Sequence, residues 1–272
     1  MDILYLVGNN TICDFADLRF SLRSLEKYGK NVDKVYMCGY IPSFISNNVI
    51  KIPFDILPAN NLQEKAKNIF RQVIYAVQNS DIGKNDDGEF LISMDDHYLL
   101  SDVDFKNYPY YLKDYVKRKC RYMLPENFEP GFVSPDYQIF LIQCCKTLKA
   151  LGWTTYNTTL HRNMHANRNV VETIVNDYAY LLDDPKYTIE TSLLLNNYVI
   201  THKLNKEDVY SAIDLKTLNL DKINNYKDNG GIFLSSQDFS LSDPFYFWML
   251  NMFPKKSKYE LNNIKKKFRK FW

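Results

Sequence analysis

The chain has 272 residues, 46% of them apolar and 24% charged, enough for one large α/β core and little more than the length of a single domain. Lys and Arg number 34 against 32 for Asp and Glu, a net charge of +2, so no nucleic acid or other polyanion is expected as the main partner. Five cysteines (Cys13, Cys38, Cys120, Cys144, Cys145) without a C-x-x-C spacing argue against a disulfide framework or a zinc knuckle, and Cys144-Cys145 in an apolar stretch reads as core.

In chain order, residues 3–7 form an apolar run ending at Gly8-Asn9-Asn10, the pattern of a buried strand entering a loop. Over 17–28, Leu18, Leu22, Leu25 and Tyr28 recur at helical spacing, and Gly29 supplies a stop. Strands are expected at 34–40 and 49–54. A helix is expected at 62–78, with Ala66, Ile69, Phe70, Val73 and Val77 on one face. After the polar turn 83–88, Phe90-Leu91-Ile92-Ser93-Met94 makes a strand that runs into acid. Strands alternating with helices predict a mostly parallel sheet flanked by helices, whose ligands bind beyond the carboxyl ends of the strands. The second half reads as more helical, with helices at 137–151, 169–182, 188–200 and 244–253 and one strand at 231–235.

The last 18 residues hold eight basic residues and one acid, Glu260, a net of +7 that leaves the other 254 residues at −5. From Tyr259 onward, Leu261, Ile264, Phe268 and Phe271 fall at helical spacing among lysines, the pattern of a basic amphipathic helix. Such a tail suits peripheral contact with the inner face of a membrane, or else a terminal helix that is solvated or packed on the protein by Leu261, Ile264 and Phe268. With no basic start to the chain and no apolar run near the roughly 20 residues that cross a bilayer, a cytoplasmic location is expected. One unit over 1–254, with halves 1–104 and 105–254, followed by a tail 255–272, is the expected organisation.

The strongest chemical signal is Asp95-Asp96-His97 at the end of an apolar strand. Adjacent carboxylates repel unless a cation or solvent relieves them, and with an imidazole they suit Mn²⁺ or Mg²⁺; the plain alternative is a solvated turn. Arg19 and Arg23, four apart on one helix face, suit a diphosphate by their forked geometry or else pair with surface acids. No G-x-S-x-G, P-loop or G-x-G-x-x-G motif occurs, which removes the usual hydrolase, phosphate-loop and dinucleotide readings.

The strand followed by Asp95-Asp96-His97 resembles the variable D-x-D site of GT-A glycosyltransferases and the N-D-D-V-F run of the Stealth family of capsular sugar-phosphate transferases. Residues 17–28, with Lys34-Val35-Tyr36 and Ile41-Pro42-Ser43, are similar to a Stealth block, and Phe253-Pro254 through Ser257 to Glu260 resembles the block that closes that family. Met94 stands where that family has the asparagine of N-D-D, and His97 where it has an apolar residue. The resemblance implies a GT-A-like fold and a metal-dependent glycosyltransferase moving a sugar from a nucleotide-sugar donor to a glycan or glycolipid acceptor. Sugar-1-phosphate transfer, and a catalytically silent nucleotide- or carbohydrate-binding protein, are the alternatives.

Under the first reading Asp95 meets the donor and Asp96 and His97 the metal. The family layout adds donor contacts for Lys65 and Arg71, on a helix face shared with Asn68, and a further metal ligand from a downstream histidine. His161 and His165, four apart as on one helix face, could present two imidazoles on one side, and His161 is preferred for its Trp153…Tyr156 context. Glu190, which opens a helix and resembles a recurrent acid of this group, and Asp238, at a strand end, are the two candidates for a base.

Overall fold

The computed structural model describes residues 1–8, 12–85, 87–113, 135–204, 209–212, 215–236, 239–240 and 242–261. Its first half runs β1 (Asp2–Val7), α1 (Ala16–Tyr28), β2 (Gly29–Lys30), β3 (Val35–Gly39), β4 (Val49–Pro53), α2 (Leu62–Gln78), β5 (Glu89–Met94), β6 (His97–Leu99), β7 (Val103–Asp104) and β8 (Tyr110–Lys113). Its second half runs α3 (Pro135–Ala150), β9 (Met164–Asn167), α4 (Arg168–Asp177), α5 (Tyr180–Asp183), α6 (Thr191–His202), β10 (Val209–Ala212), β11 (Leu215–Lys216), α7 (Leu220–Asp228), β12 (Phe233–Ser235) and α8 (Pro244–Met252).

The central sheet has the order β4-β3-β1-β5-β9; the first four strands are parallel and β9 is antiparallel to β5. All six residues of β1 are buried because helices cover both faces of the sheet, which is why this strand reads as an unbroken apolar run. Alternation then divides the core. Leu4, Leu6, Tyr36, Cys38, Phe90 and Ile92 face α2 and the helices α3, α4 and α6. Ile3, Tyr5, Val7, Met37 and Leu91 face α1 through Leu18, Leu22 and Leu25. The expected mostly parallel, helix-flanked sheet is therefore observed, in a Rossmann-like arrangement. Gly39 ends β3 with φ of +112°, and a Cβ there would lie 2.2 Å from the Val7 carbonyl oxygen, so the close approach of β3 to β1 requires glycine.

A second, small sheet of order β11-β12-β6 packs on the far side of α1, where Phe20, Tyr98, Leu234, Phe245 and Met249 form a third cluster with α8. Two buried serines of α1 tie this sheet to the first: the Ser21 hydroxyl donates to the His97 carbonyl at 2.6 Å, and the Leu99 amide donates to Ser24 Oγ at 3.1 Å.

Three sequence expectations change. The helix expected at 169–182 is broken: Tyr178 leaves helical geometry at φ −131°, its ring edge-on to Trp153 at 5.2 Å, and α5 restarts two residues later. Tertiary aromatic packing overrides a periodicity that continues through the break. His161 and His165 do not share a helix face, because 161 lies in a loop and 165 in β9. No helix starts at Tyr259: Glu260 bridges antiparallel to Ile45, the Ser46 amide donates to the Tyr259 carbonyl, and the Leu261 amide donates to the Phe44 carbonyl. The rest of the expected tail helix, 262–272, lies outside the described residues. Among the described residues no helix is long and apolar enough to cross a membrane.

Candidate functional site

After β1 the chain moves outward to β3 and β4, then returns to the other side of β1 as β5. The strand order thus reverses between β1 and β5, and a crevice outside the carboxyl ends of these two strands is where open α/β sheets bind ligands. Both connections leaving this point are unusual. The one after β1 holds Cys13, Asp14 and Phe15 at φ of 53°, 53° and 57°, three successive non-glycine residues in the left-handed region. Each costs on the order of 1–2 kcal/mol, and strain of this kind gathers at functional sites.

The connection after β5 is the two-residue turn Asp95-Asp96, whose position follows from the pairing on either side. β6 is held by the α1 serines, and β12 pairs with it so that Ser235 lies opposite His97. The Ser235 hydroxyl donates to Asp96 Oδ2 at 3.4 Å and the Ser236 amide to the Asp96 carbonyl at 3.4 Å. His97, 7% exposed, accepts from the Met94 amide at Nδ1 (3.5 Å) and brings Nε2 to 3.8 Å from Asp96 Oδ1. The His161 ring stands edge-on to it with centroids 6.4 Å apart. The structure therefore gathers Asp95, Asp96, His97 and His161 at one place, with the Asp96 side chain still 28% exposed to solvent.

The electrostatics are those of a site short of positive charge. Burial pushes the Asp95 carboxyl up to about 7, reinforced by the Asp17 and Asp96 carboxylates. Burial also raises Asp96, opposed by the charges of Lys216 and His161 and by the Ser235 hydrogen bond. Asp17, in the first turn of α1, was not singled out by the sequence, and neither was Lys216 on β11. Among the described residues no three His, Cys, Asp or Glu side chains form a complete metal cage. Mg²⁺ is commonly held by one or two carboxylates plus substrate phosphates and water, and a carboxylate pair raised by its like-charged neighbours offers such a cation an oxygen donor set. Asp95 and Asp96 are the side chains that offer this oxygen pair, with His97 beside Asp96 and His161 edge-on to His97.

No protein-family model and no curated protein matches the chain.

The other residues read from the sequence have different partners. Arg23 grips Glu260 with both nitrogens (Nε to Oε1 2.8 Å, Nη2 to Oε2 2.9 Å) and donates to the Phe253 carbonyl at 3.1 Å. Arg19 bridges Glu260 (3.5 Å) and Asp14 (3.3 Å) with its guanidinium over the Phe44 ring at 3.5 Å. Both guanidiniums are thus engaged by side chains of the protein. Arg71 donates to Asn68 Oδ1 and the Leu182 carbonyl and lines an apolar groove of about 430 Å³ with Phe54, Ile74 and Tyr75, while Lys65 on the same helix is exposed. Glu190 caps α6, accepting from the Leu193 amide at 2.7 Å and the Ser192 hydroxyl at 2.6 Å. Asp238 lies outside the described residues. His165 sits between Glu89 (3.2 Å) and the Tyr108 carbonyl (2.6 Å), stacked on Tyr110 at 4.1 Å, which commits both ring nitrogens away from the acid turn.

Proposed function

We propose that the protein is a metal-dependent glycosyltransferase of the GT-A kind, moving a sugar from a nucleotide-sugar donor to a glycan or glycolipid acceptor. The observation that carries this reading is the cation-hungry pair Asp95-Asp96 at the switch point of a mostly parallel sheet. Asp95 and Asp96, with His97 and His161 nearby, would hold Mn²⁺ or Mg²⁺ together with the ligand's phosphates and water, and the cation when bound supplies Lewis-acid stabilisation of the leaving diphosphate. His97 and Ser235 fix the Asp96 carboxylate from behind, so that its free side meets the ligand in one orientation. Asp17 adds negative charge near Asp95 and strengthens the demand for a cation.

Sugar-1-phosphate transfer is the second reading, and one observation favours it. Two of the segments that resemble the Stealth blocks, α1 and residues 253–260, meet at the Arg23–Glu260 pair, and Ile45, just after the resembling Ile41-Pro42-Ser43, bridges to Glu260. A phosphodiester in the product, detected by phosphorus NMR, would select it.

A thermal-shift screen of UDP, GDP, CMP and dTDP, with and without Mn²⁺, tests the donor site on wild type and Asp96→Ala. A nucleotide at 100 times its dissociation constant adds about 2.7 kcal/mol, which raises the midpoint of a chain this size by roughly 5–10 °C. The expected result is a manganese-dependent shift for one nucleotide that Asp96→Ala loses. Absence of any shift in the wild type sinks the reading.

A further inference from the structure

Three strands of the small sheet place three polar residues in one row. In the pairing register Lys216 of β11 lies opposite Ser235 of β12, and Ser235 lies opposite His97 of β6. Residues in register across neighbouring strands project to the same face. The preceding row, Leu215, Leu234 and Tyr98, packs into the cluster on α8, so the row Lys216–Ser235–His97 projects to the opposite face. Ser235 and His97 on that face both address Asp96, by a hydroxyl at 3.4 Å from Oδ2 and an imidazole nitrogen at 3.8 Å from Oδ1. Lys216, exposed at the end of the row, carries a flexible ammonium on the same face, one strand from the serine that holds Asp96.

Resting on the glycosyltransferase reading above, we propose that Lys216 is an exchangeable counter-ion of this site. It balances Asp96 while no cation is bound, and it grips a diphosphate oxygen of the ligand once a divalent cation takes over Asp96. A four-carbon stem with a compact ammonium can move between the two positions, and a strand edge is a rigid base for it. The ligand class follows: an anion with at least two phosphoryl groups, one to bridge to the cation and one to meet Lys216.

The exchange predicts effects of opposite sign from one substitution. Calorimetric titrations would use Mn²⁺ alone, and inorganic pyrophosphate with Mn²⁺ present, on wild type, Lys216→Met and Lys216→Arg. Removing a competing charge next to Asp96 is expected to tighten Mn²⁺ binding by about fivefold, the scale of one solvent-exposed charge pair. Loss of a charge-assisted phosphate contact is expected to weaken pyrophosphate by about tenfold or more. Lys216→Arg keeps the charge and stays close to wild type in both titrations. Unchanged or weaker Mn²⁺ binding by Lys216→Met overturns the exchange, and so does unchanged pyrophosphate binding. Wild type that binds normally beside an indifferent Lys216→Met overturns this inference alone; wild type that binds neither ligand overturns the glycosyltransferase reading with it.

Discussion

Two carboxylates that meet charges of α1, Glu260 buried and Asp95 half-buried, have opposite environments. Glu260, its side chain fully buried, receives Arg23 through two hydrogen bonds, the Ser257 amide at 2.9 Å and the charge of Arg19. Burial alone would raise its carboxyl, but these partners hold it below the ordinary value. Asp95 is half-buried beside the acids Asp17 and Asp96, and desolvation and their charges hold its carboxyl high. A carboxylate whose charge is fully met inside the protein belongs to the architecture. One that the fold leaves short of positive charge is prepared for something that arrives from outside, and that asymmetry separates clasp from site here more clearly than burial does.

The sharpest way to break the comparison is to remove the satisfied charge. Glu260→Gln leaves Arg23 without its counter-charge and Arg19 with Asp14 alone, and is expected to cost about 3–5 kcal/mol in urea unfolding; a loss below about 1 kcal/mol would make the clasp incidental. Asp95→Asn should act the other way in metal-free buffer, raising stability at pH 8 by about 1–2 kcal/mol after allowance for solvent relaxation. The pH slopes differ in sign as well. Glu260 binds its proton less readily folded than unfolded, so its stabilisation is complete above the ordinary 4.5 and is lost as pH falls through the lower folded value. Asp95 binds its proton more readily folded, so it costs nothing at low pH and subtracts stability as pH rises from 3.8 towards 7. Unfolding of wild type and Asp95→Asn in EDTA from pH 5 to 8 should therefore show a gap that widens with pH. Ser257→Ala removes only a 3.3 Å hydroxyl bond to Glu260 and keeps the amide bond, for an expected loss of about 0.5–1 kcal/mol.

Much of the amino-terminal half was legible in the sequence, because strands buried on both faces announce themselves as apolar runs and helices such as α1 and α2 as one-sided stripes. The acid turn was legible for the same reason, as the abrupt end of such a run. Other features were hidden by physics that spacing does not record. β9 reads Met-His-Ala-Asn and gains its strand identity from pairing with β5. Asp17 looks like any polar residue in a first helical turn, and only the adjacency of β1 and β5 brings its charge to Asp95. Lys216 is one exposed lysine among many until the register of three short strands places it. Glu260 stood out only as the single acid in a basic tail, and its burial depends on two arginines far away in the chain. Arg19 and Arg23 were correctly seen as a pair; what they grip could not be read from their spacing.

That distance bears on how the molecule comes into being. Arg23 and Glu260 are 237 positions apart, so during synthesis α1 exists long before its acidic partner leaves the ribosome. At about 5–20 residues per second the interval is on the order of ten to fifty seconds. Over that time two cationic side chains and the apolar flank of α1 that Phe253 finally covers stay open to competing contacts. Closing so large a loop is entropically late, and it joins both ends of the chain in a single step. Until residues 253–260 emerge, α1 keeps this flank and its two arginines open, a window in which a chaperone would find its grip.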